Sequence, residues 1–289
     1  MQFTTNQEWK MNLTVSSMNS EEVALAVDWA AREGWNPGLH DTACFYAADP
    51  TGFFLARFGG KPVGCISAVA YDERFAFAGF YIVETEYRTQ GIGHALVEKA
   101  QDHVGGRIIG NDAVVAQQET YRRLGFAVAH RNIRFQGKAT RALLRPSEIV
   151  DLSVVPLDDL LAYDRKMFPA PRTSFLRQWI RQPEGAALGH VKKGRLSGYG
   201  VIRKCRRGYK IGPLFADDEE TAGILFGALT ETAAGHSFCL DIPEPNAGAQ
   251  RLVTRHGMEK VFETARMYRG PAPILPLEKI FGVTSFELG

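Results

Sequence analysis

The stretch "YRTQGIGHAL" (87–96) follows the apolar run "FAFAGFYIV" (75–83). Arg88 stands three residues before Gly91, and Gly93 comes two residues after that. Ile92, Leu96, Ala100 and Val104 then recur at four-residue spacing until Gly105 and Gly106. This spacing predicts a helix with one apolar face, stopped by glycine. A strand that runs through R-x-x-G-x-G into a helix aims free backbone N–H groups at one point, and the helix N-terminus adds about half a positive charge. Glycine lets the main chain come close to a ligand. The stretch therefore reads as a cradle for phosphate or pyrophosphate. It is not a Walker loop, because no G-K-[ST] follows, and Leu96 stands where a dinucleotide turn needs its third glycine.

Working outward, the chain repeats itself. "FLARFGGKPVGCISAV" (54–69) and "LGHVKKGRLSGYGVI" (188–202) each read as strand, tight turn, strand, with Gly60 and Gly194 134 residues apart. "YKIGPLF" (209–215) answers the apolar run at 75–83, and "EETAGILFGAL" (219–229) answers the cradle and its helix. "VTRHGMEKV" (253–261) answers "YRRLGFAV" (121–128), and Gly125 and Gly257 stand 132 residues apart. Two copies of one α/β unit are expected, as domains 1–140 and 141–289 with a seam around 136–150. Each copy should hold an antiparallel hairpin followed by a right-handed parallel strand–helix–strand crossover, giving a mixed sheet flanked by helices (α/β, or α+β with a mixed sheet). At an offset of 132, Gly223 matches Gly91, while Glu220 replaces Arg88, Leu225 replaces Gly93 and Val253 replaces Tyr121. The acids of "ADDEE" (216–220) predict a self-capped helix start that would repel a pyrophosphate. The second copy is expected to bind no ligand of its own and to complete the first copy's pocket, held there by burial of "PAPILPLEKIFGV" (271–283).

The net charge of +2 gives no general reason to expect nucleic acid or a membrane surface. The basic run "RKCRRGYK" (203–210) reads as a solvated hairpin. Cys44, Cys65, Cys205 and Cys239 form no C-x-x-C pair, so neither zinc nor a disulfide framework is suggested. No stretch has the length and apolarity of a signal peptide or a membrane span, and a reduced, cytoplasmic setting is expected. A homodimer is left open.

The first half resembles the GNAT superfamily of acyl-CoA-dependent N-acyltransferases. Arg88, Gly91 and Gly93 match its [QR]-x-x-G-x-[GA] signature, and Tyr121, Gly125 and Phe126 match its Y-x-x-x-G-F. The second half, with "MFPAPRTSFLRQW" (167–179), resembles the C-terminal domain of tandem GNAT proteins of the YitH/HolE kind, which include acyltransferases of small amines. The resemblance implies acetyl-CoA as cosubstrate. Backbone groups of Ile82 and Val83 would take its pantetheine arm. The amides of Arg88, Thr89, Gln90, Gly91, Ile92, Gly93 and His94 would take its pyrophosphate, and Tyr121 would lie at the sulfur. The sequence departs from the pattern in two places: Val114 and Gln117 stand where N-x-x-A is usual, and Thr89 where glycine often follows the arginine.

An alkylamine has a pKa near about 10 and must lose a proton before it attacks a thioester. The thiolate leaves more readily if it is protonated, and Tyr121 is the expected general acid. A backbone N–H near Val83 would hold the oxyanion. Glu84 is the first candidate for the base, or else an exposed turn carboxylate. Trp35, Asn36, His40 and Asp41 lie in a Pro/Gly loop that, by the resemblance, borders the acceptor site. Trp35 would supply an apolar wall, and His40 and Asp41 would orient or deprotonate an amine. The expected reaction is acetyl transfer to a primary amine of a small molecule. Protein lysine and a non-catalytic acyl-CoA sensor are the alternatives.

Overall fold

The computed structural model describes residues 12–139 and 146–289; the expected boundary at 140/141 lies outside them. The first half runs β1 (Leu13–Ser17), α1 (Ser20–Arg32), α2 (Asp41–Ala48), β2 (Phe53–Phe58), β3 (Lys61–Ala70), β4 (Phe75–Val83), α3 (Ile92–Val104), β5 (Ile108–Val114), α4 (Gln118–Arg123) and β6 (Ala127–Lys138). The second runs β7 (Ile149–Asp151), α5 (Leu157–Met167), α6 (Thr173–Trp179), β8 (Ala186–Lys192), β9 (Arg195–Lys204), β10 (Tyr209–Ala216), α7 (Glu219–Glu231), β11 (Ser237–Pro243), α8 (Ala247–Arg255), β12 (Glu259–Arg269) and β13 (Ile280–Gly282).

The repeat is real in three dimensions. β2 and β3 form an antiparallel hairpin, as do β8 and β9. β4 runs parallel to β5 across α3, and β10 runs parallel to β11 across α7. The two halves share one mixed sheet in the order β1-β2-β3-β4-β5-β12-β6-β11-β10-β9-β8-β7. The last strand of each half is exchanged: β12 lies between β5 and β6, and β6 lies between β12 and β11.

A reciprocal pair of buried ion pairs locks the exchange. Arg134 on β6 grips Asp241 on β11 with bonds of 2.6 and 2.7 Å. Arg266 on β12 grips Asp112 on β5 with bonds of 2.9 and 2.7 Å. Each arginine belongs to the opposite half from its aspartate. Breaking such a pair strands a buried charge, which costs about 3–5 kcal/mol. A shared apolar core adds to this: Phe45 on α2 stacks on Trp179 on α6 at 6.0 Å, and Phe80 packs edge-on against Phe45 at 5.6 Å.

Two sequence expectations change. The basic run 203–210 is the β9–β10 hairpin, but it is not fully solvated. Arg203 is wholly buried, paired with Asp41 at 2.9 Å and stacked over Trp179, and Lys210 is buried with it. The segment 271–279 stays partly exposed, and burial begins at Ile280. From there β13 pairs with β10, and residues 284–289 go on into the first half, where Tyr71 donates to the Leu288 carbonyl at 2.8 Å.

The helix registers also correct the alignment of the two copies. Leu96 and Ile92 pack over Gly64 of the first hairpin, and Leu225 and Thr221 pack over Gly198 of the second. Leu225 is therefore the counterpart of Leu96, not of Gly93, and the helices match at an offset of 129 rather than 132. The missing residues come from the cradle itself. Residues 84–91 connect β4 to α3, whereas only 217–218 connect β10 to α7. The second copy has lost the loop, not merely its key side chains. As expected, Asp218 caps α7 by accepting from the Thr221 amide at 2.7 Å.

Candidate active site

β4 carries a bulge: its pairing with β3 shifts between Cys65 and Ser67, and Phe80 takes φ +49°. Its ladder with β5 ends at Ala78 and Asn111, although β4 runs on to Val83 and β5 to Val114. The two parallel strands splay apart there. A groove opens between them, with about 1190 Å³ of empty space, lined by Tyr81, Ile82, Val83, Arg88, Thr89 and Gly93 on one side and Val114, Gln117 and Thr120 on the other.

The loop at the groove's end is tied down from behind. The Arg88 side chain donates to the Val83 carbonyl at 2.9 Å and pairs with Glu33 at 3.1 Å. The amides of Tyr87 and Arg88 bond back to Glu84 and Thr85, and that of Ala95 to Gly91. Among the described residues, no hydrogen bond within the chain occupies the amides from Thr89 to His94. Gly91 caps α3 at φ +87°, and Thr89 sits at φ +65°. These left-handed residues turn successive N–H groups the same way, the geometry of an anion nest. A Cβ on Gly91 would meet nothing within 4 Å, so the space before it is open. Gly93 has a different constraint: a Cβ there would lie 2.2 Å from the Tyr81 hydroxyl. The residues fit a pyrophosphate.

A second, smaller space of about 480 Å³ adjoins the groove. Trp35, Tyr81, Val114 and Gln117 line both. Tyr121 lines the smaller chamber, edge-on to Tyr81 at 6.3 Å and to Phe126 at 5.4 Å. Burial raises its phenol above the usual range, with Asn111 pulling weakly the other way, so it stays protonated. Phe80, Phe262 and Phe286 supply apolar wall. Phe262 and Thr264 come from β12, and Phe286 and Glu287 from the final segment, so the second half closes the chamber.

The other residues singled out in the sequence lie elsewhere. Glu84 is paired with Arg32 at 2.9 Å, and neither space is lined by it. Asn36 exchanges two 2.9 Å bonds with the backbone of Arg207. His40 meets Glu184 at 3.2 Å on the surface. Asp41 is wholly buried against Arg203 and the Gly38 amide. Of that loop only Trp35 reaches the chamber. Glu287, which sequence reasoning missed, does reach it: the residue is buried, and both carboxylate oxygens lack a hydrogen-bond partner. Nothing in "TSFELG" (284–289) signals this, because only the exchanged strands and β13 carry that segment to the site.

In the second half the corresponding splay is filled. β13 pairs with β10 at Leu214 and Phe215, and the Val283 amide bonds to the Asp241 carbonyl of β11 at 2.8 Å. Asn246 caps α8 and donates to the Ile280 carbonyl at 2.9 Å, holding β13 in place.

Residues 21–126 match the acetyltransferase (GNAT) family, and residues 160–282 match a further acetyltransferase (GNAT) domain. The chain is 31% identical over 286 residues to the holothin acyltransferase of Pseudoalteromonas sp. (strain SANK 73390), covering 98% of this chain and 96% of that protein. A crystal structure of an acetyltransferase assigned from Pyrococcus horikoshii superposes with a TM-score of 0.82 at 21% identity, covering 96% of each chain. A tandem GNAT protein from the clavulanic acid biosynthesis pathway superposes with a TM-score of 0.62 at 15% identity, over 90% of this chain and 100% of that one. Both share the fold. Among the described residues no helix is long and apolar enough to cross a membrane. A loop of unoccupied amides at the mouth of two splayed strands, repeated family matches along the chain and end-to-end similarity to an acyltransferase lead to one conclusion: the chain belongs to the GNAT acetyltransferase family, as a two-unit acyltransferase of that type.

Proposed function

We propose that this protein transfers an acetyl group from acetyl-CoA to the primary amine of a small molecule. One observation carries the reading: a groove with an amide-lined end adjoins a small aromatic chamber, with Tyr121 lining the chamber behind Tyr81. In this reading the amides from Arg88 to His94, chiefly the unoccupied ones from Thr89 onward, hold the pyrophosphate. The backbone of Ile82 and Val83, past the end of the ladder, pairs with the pantetheine arm as an added strand would. An N–H near Val83 faces the thioester oxygen as it gains charge. The amine attacks the thioester carbon directly. As the carbon–sulfur bond breaks, Tyr121 gives its proton to the sulfur. Burial keeps the phenol protonated until the thiolate forming beside it draws the proton away.

The chamber's lining favours a small acceptor, since Trp35, Phe80, Phe262 and Phe286 crowd it with aromatic wall and leave little free space. A peptide lysine would need an open channel for its flanking backbone, and here Phe262, Phe286 and Glu287 close that side. The test is release of coenzyme A from acetyl-CoA across a panel of small amines and lysine peptides. Amine-dependent thiol release with small amines is expected. Turnover confined to lysine peptides, or binding of acetyl-CoA without turnover on any amine, would refute the proposal.

A further inference from the structure

Glu287 lines the chamber, and its carboxylate is buried in the wall with no partner. Glu287 is 2% exposed, and neither of its oxygens has a hydrogen-bond donor within reach. A buried carboxyl group with no partner is unfavourable, so such a group is retained where a ligand or a function completes it. It lines the same space as Tyr121, Tyr81 and Trp35. Its backbone is held closely as well: the Glu287 carbonyl lies where a Cβ on Gly79 would meet it at 2.2 Å, so only glycine at the β4 bulge admits this segment.

Most of the charges around it have other partners. Arg134 on β6 holds Asp241, and its guanidinium lies over Phe286 at 4.8 Å. Arg203 on β9 holds Asp41 from α2 through its Nε, while its two terminal nitrogens are buried with no hydrogen-bond partner. Lys210 on β10 reaches the Trp35 carbonyl at 3.4 Å, and Asp112 on β5 is held by Arg266. Burial works against the charges of Arg134 and Arg203. Their aspartates, with Glu287 adding to them, outweigh it and raise both. Glu287 thus feels the two arginines as a field but is hydrogen-bonded to neither.

We infer that Glu287 is the acceptor's anchor and general base: its carboxylate binds the amine nitrogen in the chamber and takes the proton that the nitrogen must lose. This rests on the acyl-transfer reading above and adds a residue to it. The step balances. The nitrogen–carbon bond forms and the carbon–sulfur bond breaks. An acceptor that arrives as ammonium first gives one proton to Glu287, which releases it to solvent; after attack the nitrogen gives its second proton to Glu287, and Tyr121 gives its own to sulfur. Solvent then returns the proton from Glu287 to the Tyr121 phenolate. The acceptor class follows from the walls: a compact primary amine on a flat or apolar body, set among Trp35, Phe80, Phe262 and Phe286, with its nitrogen toward Glu287. Glu84, bound by Arg32 outside both spaces, cannot serve there.

The test is Glu287→Gln in the full chain, assayed with acetyl-CoA and a series of amines of graded pKa. Acetyl-CoA affinity by calorimetry should be unchanged. Turnover at neutral pH should fall by about 10²-fold or more, as when a general base is lost. The loss should shrink as pH rises toward the pKa of the amine, and it should be smallest for the least basic amines, which arrive already deprotonated. A merely structural counter-ion for Arg203 would give a loss independent of pH and of amine pKa, and that result overturns the assignment. So does turnover within threefold of the parent. Should the variant fail to fold, a structure of the unaltered chain with coenzyme A and an acceptor decides: the nitrogen is expected within about 3.2 Å of the Glu287 carboxylate, and a nitrogen placed elsewhere refutes the assignment. Absence of amine-dependent turnover in the parent refutes the acyl-transfer reading and the assignment with it, whereas an active parent with an indifferent variant refutes the assignment alone.

Discussion

Gly93→Ala should destabilise the protein through Tyr81, and a second substitution should reverse the effect. A Cβ on Gly93 would lie 2.2 Å from the Tyr81 hydroxyl oxygen and 3.2 Å from the ring carbon that bears it. The first distance is impossible, and the second is tight but tolerable. Tyr81 has little room to retreat, because its ring packs edge-on against Tyr121 and its hydroxyl is part-buried, which raises its pKa. Overpacking of this kind costs about 1–3 kcal/mol. Alanine in place of glycine inside a helix returns about 0.5–1 kcal/mol. The single variant should therefore be less stable than the parent by up to about 2.5 kcal/mol. In the Tyr81→Phe background the clashing oxygen is gone, and the same change should be neutral or slightly stabilising. Urea unfolding of the parent, both single variants and the double variant gives the coupling directly, expected at about 1–3 kcal/mol. Additive effects would show that Gly93 is not there to admit Tyr81.

Tyr121→Phe should leave acetyl-CoA affinity unchanged by calorimetry and lower turnover by about 10²-fold or more, as expected for a lost general acid; full turnover would reduce Tyr121 to a packing residue. Stability should fall on acidification from about pH 6.5 to about pH 4 through His130. Its imidazole is pushed down to about 4 by burial and then by Arg266, so the unfolded chain takes up a proton over that window that the folded chain refuses. His130→Asn should flatten that part of the stability–pH curve measured by urea unfolding, and an unchanged slope would contradict the assignment.

The fold and its repeat were legible because they rest on local signals. Hairpin glycines, the four-residue spacing of Ile92, Leu96, Ala100 and Val104, and the Gly125 and Gly257 turns all act within a few residues. The two turns even make the same bond, Phe126 to Tyr121 and Met258 to Val253, each at 3.0 Å. The exchange of β6 and β12 was not legible, since either strand could satisfy either edge and the choice lies in long-range pairs such as Arg134 with Asp241. The helix register was misjudged for a related reason. Gly223 is an accidental match to Gly91; a Cβ on it would meet nothing within 4 Å, so neither packing nor a turn requires it. At the site, the cradle and Tyr121 showed through a linear motif. Glu287 did not, because its position depends on where 284–289 end up after β13, more than 160 residues from Tyr121 in sequence. His40 and Asp41 were drawn in by residue type and by the place the resemblance gives their loop, and a fully buried aspartate against Arg203 looks the same in sequence as a free one.

The second copy's groove explains both its own silence and the completion of the first. Losing the connection between β4 and α3 leaves 217–218 in its place, with Asp218 already accepting the amide that an anion would need. A splay with no anion loop is still a pair of unpaired strand edges, and buried edges must be satisfied. β13 does this: it pairs with β10, meets β11 through Val283, and is held by Asn246. Gly212 and Gly282 are needed for it, since a Cβ on either would lie 2.3 and 2.6 Å from its nearest neighbour. Once β13 is fixed in the second groove, the residues after it have one direction left, and they emerge at the β4 bulge beside Gly79. One groove filled by the chain's own strand is thus what carries Phe286 and Glu287 to the other. The expected stoichiometry is one acetyl-CoA per chain. Asn246→Ala should loosen β13 and lower turnover at the first site without creating a second binding event, because the amide loop is absent there. Calorimetry showing two equivalents for the parent or the variant would refute this account.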